Sequence, residues 1–428
     1  MADDSDSGGE PTRRAYLRYG SVLAGAGLLA GCSSENDGQS ATPVADSTEA
    51  AEDEAATETP AADATPTATE TATPGATESP TATPTQSPYS VEMAPMGTVE
   101  FEAVPDSWMA YFSTYGDMAI ALGQADGLAG LVFTENWPRS FYDALPGVDV
   151  PFDDVPQLMG DSGMDKEAFY ELDADVHLFD PNFIQLLADD WDDADFDEVR
   201  TEIGPIVGNS IRRRGADWHD YQYYSLYDAF EKIAQVFQER ERYAALKEVH
   251  DDLIASVQAD LPPAEERTTV GLLSINSDFE GGTFYAYPVH DGNGHKQYRD
   301  LGMRGAFDDH IEGSYAEWDY EQILEVDPDA LLFQYGFSHV STEDFEQRMT
   351  AMREDPVGSQ LSAVQNDRLY RGGTSYQGPI VNLFQTEIAA KQFYPDTFGE
   401  WHGLETLEDE DAWLFDHQRV ADIVRGDV

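Results

Sequence analysis

Three consecutive arginines, Arg212-Arg213-Arg214, stand a few residues ahead of Trp218, Tyr221, Tyr223 and Tyr224 in a chain that carries 24 Lys+Arg against 83 Asp+Glu. Guanidinium forks pair with carboxylate, catecholate or phosphate oxygens and stack on aromatic rings, so cations and rings at this spacing suit an anionic guest. The plainer reading is three arginines neutralising nearby surface acids. Nine histidines are scattered, and His290, His295 and His339 with neighbouring acids offer at most a chance metal triple. The chain has no G-x-S-x-G elbow, no H-E-x-x-H pair and no Walker loop, so its motifs favour binding over catalysis. Abundant acids leave carboxylate-pair hydrolysis open as the alternative, although no pair stands out.

The whole composition narrows the field. A formal charge of −59 over 428 residues would repel a phosphate backbone, which excludes a nucleic-acid partner. Apolar residues at 41% and aromatics at 11% argue for a folded chain with an acidic, hydrated surface, as a salt-loving source would favour. A single cysteine excludes a disulfide scaffold and a cysteine-based zinc site. That cysteine closes Leu29-Ala30-Gly31-Cys32, behind Thr12-Arg13-Arg14 and a short apolar run. The stretch resembles a twin-arginine signal ending in a lipobox, with Cys32 as the lipidated first residue of the mature chain. Residues 33–88 contain no Lys or Arg and repeat Thr, Pro and Ala among acids, a composition expected to stay disordered as a stalk.

Beyond residue 96, short β-type runs at 128–133, 176–179, 203–207, 270–275, 283–287, 330–333 and 368–371 alternate with helical patterns at 116–123, 166–172, 320–325 and 381–393. This alternation is the mark of α/β architecture with parallel sheets. Two stretches match each other at an offset of 154 residues: the run from Glu167 to Phe179 and the run from Glu321 to Phe333, with Glu, Glu, Asp, Asp and Phe coinciding. Each reads as helix, tight turn and buried strand. Between them, apolar residues recur mostly three or four apart over 225–259, which predicts one helix of about 50 Å ended by Pro262-Pro263. A strut between two similar lobes is the expected role.

At this point the chain resembles the substrate-binding proteins of ABC importers whose lobes are joined by a rigid backbone helix, a family serving iron–siderophore, haem and cobalamin uptake. The resemblance covers about residues 97–402. It is carried by Asp117-Met-Ala-Ile-Ala-Leu-Gly123, Glu167 to Phe179, Tyr298-Arg-Asp-Leu-Gly302, Glu321 to Leu332, and Leu361-Ser-Ala-Val-Gln-Asn-Asp-Arg-Leu-Tyr370. Departures are Pro105-Asp-Ser-Trp-Met in place of the usual opening, and Ala174 where a proline is common.

The resemblance implies two doubly wound α/β lobes joined by a single long backbone helix, preceded by a disordered N-terminal linker. The expected division is a signal at 1–32, a linker at 33–95, an N-terminal lobe at 96–222, the helix at 223–262, a C-terminal lobe at 263–402 and a tail or helix at 403–428. It also implies an interlobe cleft rimmed by strand-to-helix loops, which here carry Tyr111, Phe112, Tyr115, Trp137, Arg139, Phe183, Tyr285, Tyr287, Tyr335, Phe337, His339 and Tyr376. With Arg212, Arg213 and Arg214 these form the expected binding set, and packing is the plain alternative for any one ring. Glu167 and Glu321 would dock on an ABC permease powered by its ATPase. The expected protein is a non-enzymatic monomer, lipid-anchored outside the cytoplasm, with no cofactor, and its guest is an iron chelate, cobalamin or haem.

Overall fold

The computed structural model describes residues 87–427 apart from 135–136, 154, 161–162, 189, 215 and 217. The expected signal, Cys32 and most of the stalk lie outside the described residues. The linker expected over 33–95 ends earlier than that: β1 (Tyr89–Met93) already pairs antiparallel with β2 (Gly97–Phe101). The Tyr89 ring stacks on Phe101 at 5.2 Å, and its hydroxyl donates to the Val236 carbonyl. These contacts recruit into the fold a segment whose composition continues the stalk.

The N-terminal sheet is parallel, in the order β4 (Leu128–Leu131), β3 (Trp108–Ala110), β5 (Val176–Leu178). Single bridges, Leu131 to Gln157 and His177 to Ile206, extend it at each edge, so the expected strand over 203–207 is one bridge only. Both faces of β3 and β5 are buried, which is why they read as continuous apolar runs. Helix α1 (Ser113–Ala121) follows β3, and α2 (Lys166–Leu172) leads into β5.

The single long helix is corrected by the structure. Residues 225–259 form α3 (Leu226–Val236) and α4 (Arg240–Asp260), separated at Gln238, whose φ is 58°. The Glu239 N–H closes back on the Ala234 carbonyl at 2.9 Å. The two helices then fold against each other: Tyr227 lies 4.2 Å from His250, and Phe230 lies 5.3 Å from Tyr243. On a straight helix residues 227 and 250 would be about 35 Å apart. The break falls where the apolar spacing lapses after Phe237. Folding back buries the apolar face of α3, including Leu226, Phe230, Ile233 and Val236, more completely than a solvent-spanning rod allows. Helix α4 alone, about 32 Å long, runs on toward the second lobe.

The C-terminal sheet runs β8 (Ala316–Asp319), β7 (Thr283–Tyr287), β6 (Thr269–Ser274), β9 (Ala330–Gln334), β10 (Leu369–Arg371). Strands β6, β9 and β10 are parallel, whereas β7 is antiparallel to β6 and to β8. The expected parallel sheet therefore carries an antiparallel edge. Helix α5 (Tyr320–Val326) precedes β9 as α2 precedes β5. The internal match is structural in detail. Asp165 and Asp319 cap α2 and α5, and both helices end on an aspartate in the left-handed region, Asp173 at φ 44° and Asp327 at φ 47°. The Asp175 carboxylate accepts from the N–H (2.9 Å) and hydroxyl (3.0 Å) of Ser107. Asp329 does the same with Thr269, at 2.9 and 2.6 Å. Each pair pins the start of a lobe's first parallel strand.

Helix α6 (Pro379–Phe393) is buried at every residue and packs on α1, α3 and α4. One apolar core runs through both sheets, joining Trp108 and Phe141 to Leu272, Leu332 and Phe384. Separate outer cores form around Phe284, Phe307 and Phe345 in the C-terminal lobe, and around Phe169, Trp191 and Phe196 in the N-terminal lobe. The 403–428 tail ends in α7 (His417–Arg425), which buries Val420, Ala421 and Ile423 and packs on α1 and α4.

Candidate functional site

The carboxyl ends of β3, β5, β9 and β10 deliver aromatic side chains from both lobes to one place. Tyr111 and Phe112 follow β3, and Phe183 follows β5 by way of the Asp180 cap. From the other lobe come Tyr335, directly after β9, and Tyr376, at the end of the turn after β10. Tyr376 meets Phe112 at 3.8 Å, Tyr335 at 6.4 Å and Tyr111 at 6.5 Å. Tyr111 lies edge-on to Phe183 at 5.1 Å and to Phe133 at 5.7 Å. The Tyr335 backbone sits at φ 65°, unusual for a side chain of this size, and its hydroxyl bonds the Ser375 hydroxyl at 2.7 Å.

One cation closes the cluster. The Arg212 guanidinium lies 4.7 Å from the Tyr376 ring centroid, and its Nη1 donates to the Tyr376 hydroxyl at 2.7 Å. The segment carrying Arg212 is irregular and is held to the C-terminal lobe by main-chain bonds. Asn293 N–H donates to the Ile211 carbonyl and Gly294 N–H to the Arg212 carbonyl, both at 2.8 Å. A side chain at Gly292 (φ 109°) would come within 2.6 Å of the Arg212 carbonyl, so glycine is what allows this approach. Arg214 lies over Tyr223 at 4.9 Å, and Arg299 donates to the His290 carbonyl at 2.6 Å.

The histidines beside these arginines are held neutral. Burial pushes His290 down to about 3, with Arg212, Arg213 and Arg299 adding to the effect. His295 stacks on His290 at 3.9 Å and is lowered mainly by burial; its Nε2 bonds Gln334 Oε1 at 3.1 Å. Asp180, the acid at this rim, accepts from the Tyr221 hydroxyl (2.5 Å) and from the Ser210 N–H (2.8 Å). The result is a patch of cationic forks, neutral imidazoles and ring faces in a strongly acidic chain, an arrangement whose chemistry suits an anion bearing flat groups. Among the described residues no three His, Cys, Asp or Glu side chains gather as a metal site.

Other expected residues stand differently. Tyr115 is buried, and its hydroxyl both donates to the Asn209 carbonyl (2.8 Å) and accepts from the Asn209 N–H (2.9 Å), bracing the segment that leads to Arg212. Trp137 packs at 5.1 Å on Phe152, the ring that Arg139 covers while pairing with Asp153 at 2.7 Å. Tyr285 and Tyr287 gather on Tyr315 at 5.9 and 6.3 Å. His339 lies beside Tyr335 at 5.1 Å and is pushed down to about 4 by burial. Phe337 turns to Phe141 and to Arg371. Arg213 abuts Gly292 through its main chain. Glu167 and Glu321 are exposed, each in the first turn of its helix. Sequence reasoning missed Phe133, Ser375 and Arg299; for Arg299, a rare cation beside Tyr298 was the available signal.

The sequence profile of a family described as periplasmic binding protein matches residues 109–376, more than half of the chain. The chain belongs to that family. No curated protein matches this binding protein. Among solved structures it is similar to a periplasmic binding protein from Veillonella parvula, at 16% identity and TM-score 0.52, covering 72% of this chain and 97% of that one. It is also similar to Helicobacter pylori CeuE with Ni(II) bound, at 11% identity and TM-score 0.50, covering 72% and 90%. A third is PiuA from Streptococcus pneumoniae, an iron uptake ABC transporter substrate-binding protein, at 13% identity and TM-score 0.50, covering 71% and 97%. At these identities the likeness concerns the fold. The matched span takes in β3 at one end and Tyr376 at the other, so the cross-lobe cluster lies within the family's region.

Proposed function

We propose that this binding protein captures an anionic iron chelate between its lobes and delivers it to an ABC permease, without chemical change to the guest. The observation that carries the reading is the joining of Tyr111, Phe112, Phe183, Tyr335 and Tyr376 from two lobes around the Arg212 guanidinium. Rings supply stacking area at small entropy cost, and the fork supplies a charged partner for chelate oxygens. The part PiuA plays in iron uptake and the Ni(II) bound to CeuE support a metal-containing guest. Haem and cobalamin are the remaining guests of this reading. Arg213 and Arg214 extend the cationic side of the rim, while Tyr115, Trp137, Arg139, Tyr285, Tyr287 and His339 shape or brace it.

Export through the twin-arginine signal and a lipid on Cys32 would tether the protein outside the cytoplasm, with the stalk as spacer. Glu167 and Glu321, matched and exposed on the two lobes, would meet basic residues of the permease, and its ATPase would drive release. The test is a thermal-shift series with a ferric tris-catecholate, a ferric tris-hydroxamate, haem and cobalamin. A guest at a hundredfold excess over Kd stabilises by about 2.7 kcal/mol. No shift with any of the four refutes capture. Reversing both charges, Glu167→Lys with Glu321→Lys, is expected to leave that shift intact and abolish uptake in cells.

A further inference from the structure

Tyr376, one of the rings of the proposed site, is also a contact between the lobes. Among the described, partly buried hydrophobic residues it alone packs against both outer cores, that of the N-terminal lobe and that of the C-terminal lobe. Its ring lies between Phe112 at 3.8 Å and the Arg212 guanidinium at 4.7 Å, and its hydroxyl takes an Arg212 hydrogen bond at 2.7 Å. Its main chain is fixed on both sides: Ser113 Oγ of the other lobe donates to the Tyr376 carbonyl at 2.5 Å, and within its own turn the Tyr376 N–H donates to Thr374 Oγ1 at 3.1 Å. The turn beneath is packed without slack: a Cβ at Gly373 would fall 1.7 Å from Gln385 Oε1. With the backbone held, any rearrangement falls to the side chain, which is half-buried.

We infer that Tyr376 is the resident occupant of the interlobe site, a self-ligand that holds the two lobes together and occupies the Arg212 fork until an anionic guest displaces it. This rests on the site reading given above and adds its regulation. A phenol presents one flat face and one oxygen to a cation, as an aryl oxyanion does, so Tyr376 offers Phe112 and Arg212 the contacts such a guest would make. Displacement exchanges a neutral oxygen at the guanidinium for a charged one, and that exchange favours anionic guests. A neutral chelate gains no such exchange. Tyr376 thereby sets both the threshold for binding and the preference for charge.

The test compares a ferric tris-catecholate, which is anionic, with a neutral ferric tris-hydroxamate, using fluorescence quenching on the full chain. Tyr376→Phe keeps the ring but removes the hydroxyl from the fork, and is expected to tighten the anionic chelate about tenfold, to tighten the neutral one by no more than that, and to have no effect in an Arg212→Gln background. Weaker binding of the anionic chelate by Tyr376→Phe would make the hydroxyl a guest contact and overturn the proposal. A second readout needs no guest. Spin labels at Glu171→Cys and Glu325→Cys, matched exposed positions, are placed in the chain with Cys32→Ser, and Tyr376→Ala is expected to lengthen or broaden the interlobe distance. An unchanged distance overturns the bridging role. If the distance changes but neither chelate binds the wild type, the capture reading fails and the bridge stands.

Discussion

The carboxyl group of Asp117 lies on α1 in one lobe, yet it caps the start of α6, and no part of it reaches solvent. Its Oδ1 accepts from the Tyr142 hydroxyl at 2.6 Å and its Oδ2 from the Val381 N–H at 3.0 Å. Burial nevertheless dominates: desolvation raises its pKa to about 7, against the lowering pull of Tyr142, Val381 and Ile380. An unfolded aspartate titrates near 3.9. Between about pH 4 and 7 the folded chain therefore keeps a proton that the unfolded chain has lost. In that window the unfolded-minus-folded proton count is −1, so this group's contribution to stability is full below about pH 4 and is lost as the pH rises to 7, by about 1.4 kcal/mol per unit. Asp117→Asn preserves the shape and removes the titration. The stability of the variant minus that of wild type is expected to rise by about 2 kcal/mol from pH 5 to pH 7 and to level off above pH 8. Urea unfolding followed by tryptophan fluorescence at pH 5, 6, 7 and 8 measures it, and taking the difference cancels the histidines common to both proteins. Two parallel profiles would show that Asp117 is already ionised at pH 5 and would refute the reasoning.

The remaining expectations concern stability. His177 is fully buried and pushed down to about 4 by desolvation, so the unfolded chain binds its proton first and stability is lost as the pH falls from 6.5 toward 4. His177→Phe, beside Phe169 at 5.5 Å, is expected to flatten that acid limb by about 3 kcal/mol in calorimetry. Asp329→Ala removes both bonds to Thr269 and is expected to cost about 2 kcal/mol in denaturant unfolding. Gln238→Gly relieves a left-handed residue at φ 58° and is expected to raise stability by about 1 kcal/mol, as the shift in urea midpoint would show.

The two-lobed α/β plan was legible because its signals are local. The Glu167 to Phe179 and Glu321 to Phe333 stretches carry their own caps, left-handed ends and strand anchors, so the match in letters became a match in hydrogen bonds. The helix over 225–259 misread because its apolar periodicity is genuine on each side of Gln238. What breaks it is the gain from packing Tyr227 on His250, a tertiary term that no window of sequence contains. The strand at Tyr89 was hidden for the same reason. At the site, the loops expected to rim a cleft do bring Tyr111, Tyr335 and Tyr376 near one another, but loop placement could not separate rings that meet across the lobes from Trp137, which meets Phe152 within one.

The repeat and the site occupy different parts of the molecule, and this bears on how a guest enters. Matched elements build the two sheets, whereas Arg212, the turn at Gly292 and the turn before Tyr376 have no counterparts in the repeat. Meanwhile α6 and a continuous apolar core run between the sheets, with Phe141 on Phe384 at 5.2 Å and Asp117 on the start of α6. A wide rigid opening would pull these buried contacts apart, at a cost of about 25 cal/mol for each Å² of apolar surface exposed. Turning one half-buried tyrosine side chain exposes far less. On the proposed reading, entry by release of Tyr376 from Arg212, with only the slight widening at the rim that this contact restrains, is therefore the lower-energy route, and it would place selectivity in the part of the chain that the two halves do not share.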